Sequence, residues 1–236
     1  MTASKPSTSD DSAVPDEARP GPPARTAAVA EGVRQRIQRG AYAPGQRLIE
    51  VDLADEFAVG RGRIREVFKT LVGEGYLEFV ENRGVYVRRF SRAEILEMGR
   101  VREVLEGLAA RMAAEKEKSA EERRRLEEHQ TALDQAASRA DIDAYNTENF
   151  AYHQTICAIS GNRHVAEFLM RVRLPLYRLQ LPSSFSADSM SRSNQDHRVI
   201  TAAILSGNPD AAEAAMRAHI KTGNAHVASL PDHYFP

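Results

Sequence analysis

VGRGRIREVFKTLVGEGYLEFVENRGVYV, residues 59–87, changes period halfway along. Its first half places Ile64, Val67, Phe68 and Leu71 at helical spacing, which predicts a helix from Arg61 to about Val72. Gly73 and Gly75 stop that helix. Two short runs rich in β-branched and aromatic residues follow, at 76–80 and 85–89, on either side of Glu81-Asn82-Arg83-Gly84. That pattern is a hairpin signal. Upstream, Val29, Val33 and Ile37 mark a helix over 26–39 that Gly40 ends, and Pro44-Gly45 makes a turn. A short helix is expected over 50–57, with Leu53 and Phe57 on one face, and Ala58-Val59-Gly60 joins it to the next. Three helices and a hairpin, the last two helices linked by a tight turn, describe a winged helix-turn-helix.

Beyond Phe90 only helical patterns occur. Ser91-Arg92-Ala93-Glu94 and Ser119-Ala120-Glu121-Glu122 fit the capping box, in which Ser and Glu satisfy each other's free backbone N–H groups. Asp141 can cap a helix that Gly161-Asn162 breaks, and Asn208-Pro209 places a cap before a first-turn proline. The expected helices run over 92–117, 120–138, 142–160, 163–180, 188–206 and 209–228, with a loop at 181–184. The fold class is mainly α: an N-terminal winged helix-turn-helix followed by an all-α six-helix bundle. The expected organisation is a disordered tail over 1–24, a DNA-binding domain over 25–90, an effector-binding and dimerisation domain over 91–230, and a C-terminal tail over 231–236.

Composition narrows the function classes. The chain has 236 residues, 42% hydrophobic and 28% charged, with one Cys and no Trp. No apolar run approaches the ~20 residues needed to cross a bilayer, and the first 25 residues lack the apolar stretch of a secretory signal. The lone Cys157 excludes a disulfide scaffold and a Cys-based zinc site. A cytoplasmic protein is expected. The net charge of −1 hides an asymmetry: residues 25–92 carry 13 Lys/Arg against 9 Asp/Glu, and residues 93–236 carry 17 against 20. Only the N-terminal part is suited to meet a polyanion.

Arg61, Arg63 and Arg65 open the second short helix, the end that enters the major groove in a helix-turn-helix. An arginine fork can bond guanine O6 and N7 together or grip a phosphate. Residues 61 and 65 share a face and are expected to lie deepest, with Arg63 on a flank. Arg47 before the first short helix and Arg83 at the hairpin tip suit phosphate or minor-groove contacts.

These residues carry a resemblance. Gly40-Ala-Tyr-Ala-Pro44-Gly45-Gln-Arg47-Leu48, Leu53-Ala54, Val59-Gly-Arg61-Gly-Arg-Ile-Arg65-Glu66, Gly75-Tyr-Leu and Asn82-Arg83-Gly84-Val-Tyr-Val87 closely resemble the GntR-type winged helix. The resemblance adds Gly84 to the DNA-facing set. Where that family usually shows Ser-Arg-Thr-Pro, this chain has Gly60-Arg61-Gly62-Arg63, so two hydroxyls are lost, an arginine is gained, and a different operator is expected.

Seven histidines are present. His197 and His219 lie on successive helices at nearly equal distances from the Gly207-Asn208 turn, so they should stand within ~1.5 Å of each other along the hairpin axis. Both fall on apolar faces. Asn149 and His153 are spaced i, i+4 on another helix. One inward histidine is usually a hydrogen-bonded core residue. Two at one level make a bundle metal site an equal reading. His129, His164, His226 and His233 read as surface or terminal residues.

Asn149-Phe-Ala-Tyr152-His153, Ser160-Gly161-Asn162, Asp196-His197, Met216-Arg-Ala-His219 and Arg102-Glu103-Val-Leu105-Glu106 look like the ligand-binding FCD domain of the FadR branch, and six helices look more like its VanR subgroup. The resemblance implies a divalent metal held by Asn149, His153, His197 and His219, with Arg102 lining an effector cavity. Asn149 stands where Asp is common, and its neutral carbonyl is the weaker donor. Three imidazoles suit Zn best, with Ni or Mn as alternatives. The resulting expectation is a dimeric transcriptional regulator that reads a near-palindromic operator and senses a small organic acid in a metal-containing pocket. The alternative is a metal-dependent enzyme acting on a small carboxylic acid, although no general base stands in a motif of its own. A nucleoid binder would leave the histidines unexplained.

Overall fold

A chain that pairs two cap signals with a glycine-punctuated N-terminal third should form short elements first and long helices after. The computed structural model, which describes residues 22–116, 118–172, 180–181 and 186–236, has that order. Helix α1 (Pro22–Gln38) buries Val29, Val33 and Ile37 as expected. It begins at Pro22 rather than at residue 26, so the last residues of the expected tail are helical; proline in a first turn forfeits no intrahelical bond. Residues 1–21 of that tail lie outside the described residues.

Strand β1 (Arg47–Leu48), helices α2 (Glu50–Glu56) and α3 (Arg61–Gly73), and strands β2 (Leu77–Val80) and β3 (Gly84–Val87) complete the winged helix. The sheet is antiparallel with order β1-β3-β2, and Val80 pairs with Gly84 to close the hairpin. β1 has no sequence signal, because two residues show no alternation. Tertiary pairing makes it: Gly45, at φ +81, donates its N–H to the Val87 carbonyl at 2.8 Å, and Val87 N–H returns to the Gln46 carbonyl at 2.9 Å.

The bundle is built from α4 (Arg92–Glu115), α5 (Ala120–Ser138), α6 (Ile142–Ser160), α7 (Arg163–Val172), α8 (Ala187–Leu205) and α9 (Pro209–Ser229). Both expected capping boxes form, at Ser91/Glu94 and Ser119/Glu122. Asp141 and Asn208 cap α6 and α9 through their side chains. Gly161 ends α6 in the left-handed region at φ +69, as a C-terminal glycine should. At the far end of α4, Lys118 Nζ donates to the carbonyls of Ala113, Ala114 and Lys116 at 2.9, 3.3 and 2.8 Å, and its burial pushes the amine pKa down. Of the helix expected over 163–180, residues 173–179 are outside the described residues, as are 182–184 of the expected loop.

Two cores result. One fills the bundle around Leu126, Leu133, Tyr152, Ile156 and Met216. The other joins the winged helix to the bundle, since Ile37, Ile64 and Leu71 share a cluster with Phe90, Ile95, Leu181, Val227 and Leu230. The expected C-terminal tail is part of this junction. Asp232–Tyr234 forms a 3-10 turn, Tyr234 and Phe235 pack on the shared core, and Arg92 bonds the Ala228 carbonyl and Asp232 while lying over the Phe235 ring. Gln180 clamps the linker, accepting from Phe90 N–H at 2.9 Å and donating to the Phe90 and Tyr234 carbonyls at 2.8 and 3.1 Å. Helix α9 lies so close to α4 that a Cβ on Gly99 would stand 2.0 Å from Asn224 Oδ1.

The turn between α2 and α3 carries Ala58 at φ 51, a conformation that costs an L-residue about 1–2 kcal/mol and a glycine almost nothing. Ala58→Gly should therefore stabilise the winged helix by about 1 kcal/mol after the opposing loss of unfolded-chain order, measured as a raised denaturation midpoint.

Candidate functional site

Helix α3 is preceded by Gly60 at the N-cap, which supplies no side-chain cap, and its buried face of Ile64, Val67, Phe68 and Leu71 seats it on the core. That seating turns the opposite face outward. Arg61 and Arg65 are exposed there and Arg63 is half-buried. The two exposed arginines are not equivalent. Arg65 Nε bonds both carboxylate oxygens of Glu50 on α2, at 3.0 and 2.9 Å, whereas Arg61 and Arg63 make no ion pair among the described residues. Glu50 thus holds Arg65 in one direction and leaves Arg61 to seek a partner. Arg47 and Arg83 are exposed on the wing side of the sheet. Gly84, at φ +102, lets the Arg47 guanidinium pass close over the hairpin, with Nε 3.5 Å from where a Cβ would be.

In the bundle, α6, α8 and α9 bring His153, His197 and His219 together: one nitrogen of each lies within 4.8 Å of the others, and all three residues are buried. His197 and His219, expected at one level, meet with their Nε2 atoms 3.3 Å apart. Each Nδ1 is occupied on the other side of its ring. His219 Nδ1 faces Asp196 Oδ2 at 3.3 Å. His197 Nδ1 is 3.2 Å from the Tyr145 hydroxyl, which donates its own hydrogen to Ser193 Oγ at 3.0 Å and so accepts from the ring. His153 Nδ1 is 2.5 Å from Glu106 Oε2. Partners of this kind put the proton of a neutral imidazole on Nδ1 and leave the Nε2 lone pair for the cluster.

Asn149 stands one turn before His153 on α6, and its Oδ1 is buried with no hydrogen-bond partner among the described residues. A buried carbonyl without a donor is costly, and with both protons on Nδ1 the Nε2 lone pairs of His197 and His219 would face each other at 3.3 Å. A cation answers both conditions, so these residues fit a divalent metal. Three imidazoles and one neutral oxygen form a borderline donor set that suits Zn or Ni. Tyr152 braces the site from behind: its hydroxyl meets Thr201 Oγ1 at 2.9 Å and donates to the His197 carbonyl at 3.1 Å, and burial pushes its phenol pKa up.

A cavity opens beside the cluster, with an empty volume of about 1070 Å³ that includes its mouth. His219 lines it, so one ring belongs to both cluster and cavity. Arg102 lines it too, but is already held by Glu106, with Nε to Oε1 at 2.8 Å. Apolar walls come from Ile95, Met98 and Ile220, and polar groups from Asn146, Ser193 and Asn224.

Two histidines differ from expectation. His226 lines the cavity, and His129 is a half-buried strut between α5 and α6 that contacts Glu148 and bonds Thr155 Oγ1 at 2.9 Å. Tyr145 and Asp196 had a signal: Tyr145 lies on the stripe of Asn149 and His153, and Asp196 is level with His219 about the 207–208 turn. Glu106 stood in a stretch that resembles the FCD domain, but its place beside His153 had no local signal, since only the packing of α4 on α6 brings it there.

Residues 97–222 match the FCD domain, and residues 25–87 match the gntR family of bacterial regulatory proteins. The HTH-type transcriptional regulator LutR of Bacillus subtilis is 29% identical, with 78% of this chain and 92% of that protein covered. The galactonate operon transcriptional repressor of Escherichia coli is 27% identical, with 83% and 93% covered. In fold, the chain is similar to a GntR regulator from Rhodococcus sp. RHA1, at TM-score 0.77, 22% identity and coverage of 88% and 99%. It is also similar to McbR/YncC of E. coli, at TM-score 0.75, 20% identity and coverage of 86% and 97%. The FCD match alone spans more than half of the residues, and the chain belongs to the FCD-containing transcriptional regulators of the bacterial gntR family.

Proposed function

We propose that this regulator binds a near-palindromic operator as a homodimer and responds to a small organic acid bound beside a metal in the bundle. The observation that carries the reading is the sharing of His219 between the histidine cluster and a cavity that also holds Arg102. Asn149, His153, His197 and His219 would hold the metal, with Zn favoured over Ni and Mn. When bound, the metal supplies a Lewis-acid anchor for a carboxylate. The chain's own residues do the rest. Arg102 adds positive charge to the cavity, and the apolar walls exclude water around the acid's body. One relative's name links it to galactonate, itself a carboxylate, which agrees with an acidic effector.

On the DNA side, Arg61, Arg63 and Arg65 would face the major groove, while Arg47, Arg83 and Gly84 would meet the backbone or minor groove. The effector shifts DNA affinity only by preferring one arrangement of the two heads. The core shared by α3, Phe90 and the end of α9 gives that preference a mechanical path. The resemblance of the sequence implies the VanR-like subgroup, and an operator-binding role agrees with a cytoplasmic location. An enzyme built on the same pocket is not favoured, because it would leave the arginine-led head without work.

Arg61→Ala should cost about 1–3 kcal/mol on a cognate site selected from genomic fragments and relax its specificity; binding equal to the parent removes Arg61 from base reading. Operator affinity should fall linearly with the logarithm of salt concentration as phosphate contacts release counterions, and a flat salt response contradicts DNA binding by this face. His219→Ala should lower bound metal in elemental analysis, and equal metal in variant and parent refutes the ligand set.

A further inference from the structure

Among the groups around the histidine cluster, one belongs to an element that contributes no ring. Glu106 lies in the middle of α4 and is 1% exposed, a burial that carboxylates accept only when paired. Its two oxygens are divided. Oε1 accepts from Arg102 Nε at 2.8 Å, and Oε2 sits 2.5 Å from His153 Nδ1. The second contact is an ion-pair approach without hydrogen-bond geometry. At that separation an unprotonated Nδ1 would face the carboxylate lone pair to lone pair, which favours the tautomer with its hydrogen on Nδ1. Glu106 nevertheless stays outside the group of mutually close nitrogens formed by the three histidines.

We infer that Glu106 is the positioning residue of the metal centre: by holding the hydrogen of His153 on Nδ1, it turns the Nε2 lone pair toward His197 and His219. This rests on the metal reading proposed above. Asp196 and Tyr145 do the same for the other two rings, but at 3.3 and 3.2 Å and, for Asp196, from a half-exposed position. Glu106 is nearer, fully buried and itself oriented by Arg102, so the His153 ring has the least freedom to choose another tautomer. Carboxylates in this role typically change metal affinity by 10–100-fold when removed.

The test is zinc titration of the purified full chain against a chromophoric chelator. Glu106→Gln should bind zinc about 10–100-fold more weakly than the parent, because its amide can donate to Nδ1 and favour the wrong tautomer. Glu97→Gln, exposed on the same helix, should keep the parent's affinity. Cobalt(II) absorption of the folded protein should change in Glu106→Gln, a signature that loss of stability alone does not move. If Glu106→Gln does not fold, Glu106→Asp, which withdraws the carboxylate by one methylene, should show weakened zinc binding. Parent-like zinc affinity and cobalt spectrum in the folded variant overturn the positioning role. A parent that takes up neither zinc, nickel nor manganese overturns the metal reading itself, which separates the two failures.

Discussion

Two buried imidazole nitrogens held 3.3 Å apart, each ring with a polar partner at its other nitrogen, set the constraint around which the bundle is arranged. With both protons on Nδ1, the two Nε2 lone pairs face each other at that distance, and a low-dielectric interior strengthens their repulsion. The geometry persists because each ring is gripped from outside. Tyr145, Asp196 and Glu106 engage the three Nδ1 atoms, and Tyr152 ties the His197 backbone to α6. Those grips come from three helices, α4, α6 and α8, and α9 brings the ring of His219, so all four must be in place before the cluster exists.

Helix α9 extends that constraint toward the other end of the molecule. It carries His219 near its middle and lines the cavity with Ile220, Asn224 and His226. Its last residues, Val227 and Leu230, enter the core that also holds Ile64 and Leu71 of α3. Arg92 and Gln180 fasten the linker to this end through backbone carbonyls, which bonds to side chains alone would do less rigidly. A ring in the cluster and an arginine at the start of α3 are thus joined by packed helices and a shared core. Contiguity of that kind is a route for coupling, and the coupling itself is a matter of differential affinity between states.

Much of this was legible in the residue order, for an identifiable reason. Capping boxes at Ser91 and Ser119, the Asn208-Pro209 start of α9 and the glycine that closes α6 all act within one helical turn. The level of His197 with His219 also followed from counting, because a tight turn leaves antiparallel helices only one register. Strand β1 was illegible: two residues acquire their state from β3, about 40 positions away. The C-terminal residues looked like a tail because Tyr234 and Phe235 show no period, yet the junction core takes them in.

Local spacing was therefore enough to specify the helices and the arginine-led face of α3, since each depends on neighbours a few residues away, whereas the meeting of His153 with the other two rings was implied by the family resemblance. Which carboxylate steadies His153, which arginine is tied down by Glu50, and which histidine faces the cavity depended on helix-against-helix packing between distant segments. Such contacts arise from side-chain volumes meeting across the interior, and a linear pattern carries no record of where two helix faces will touch.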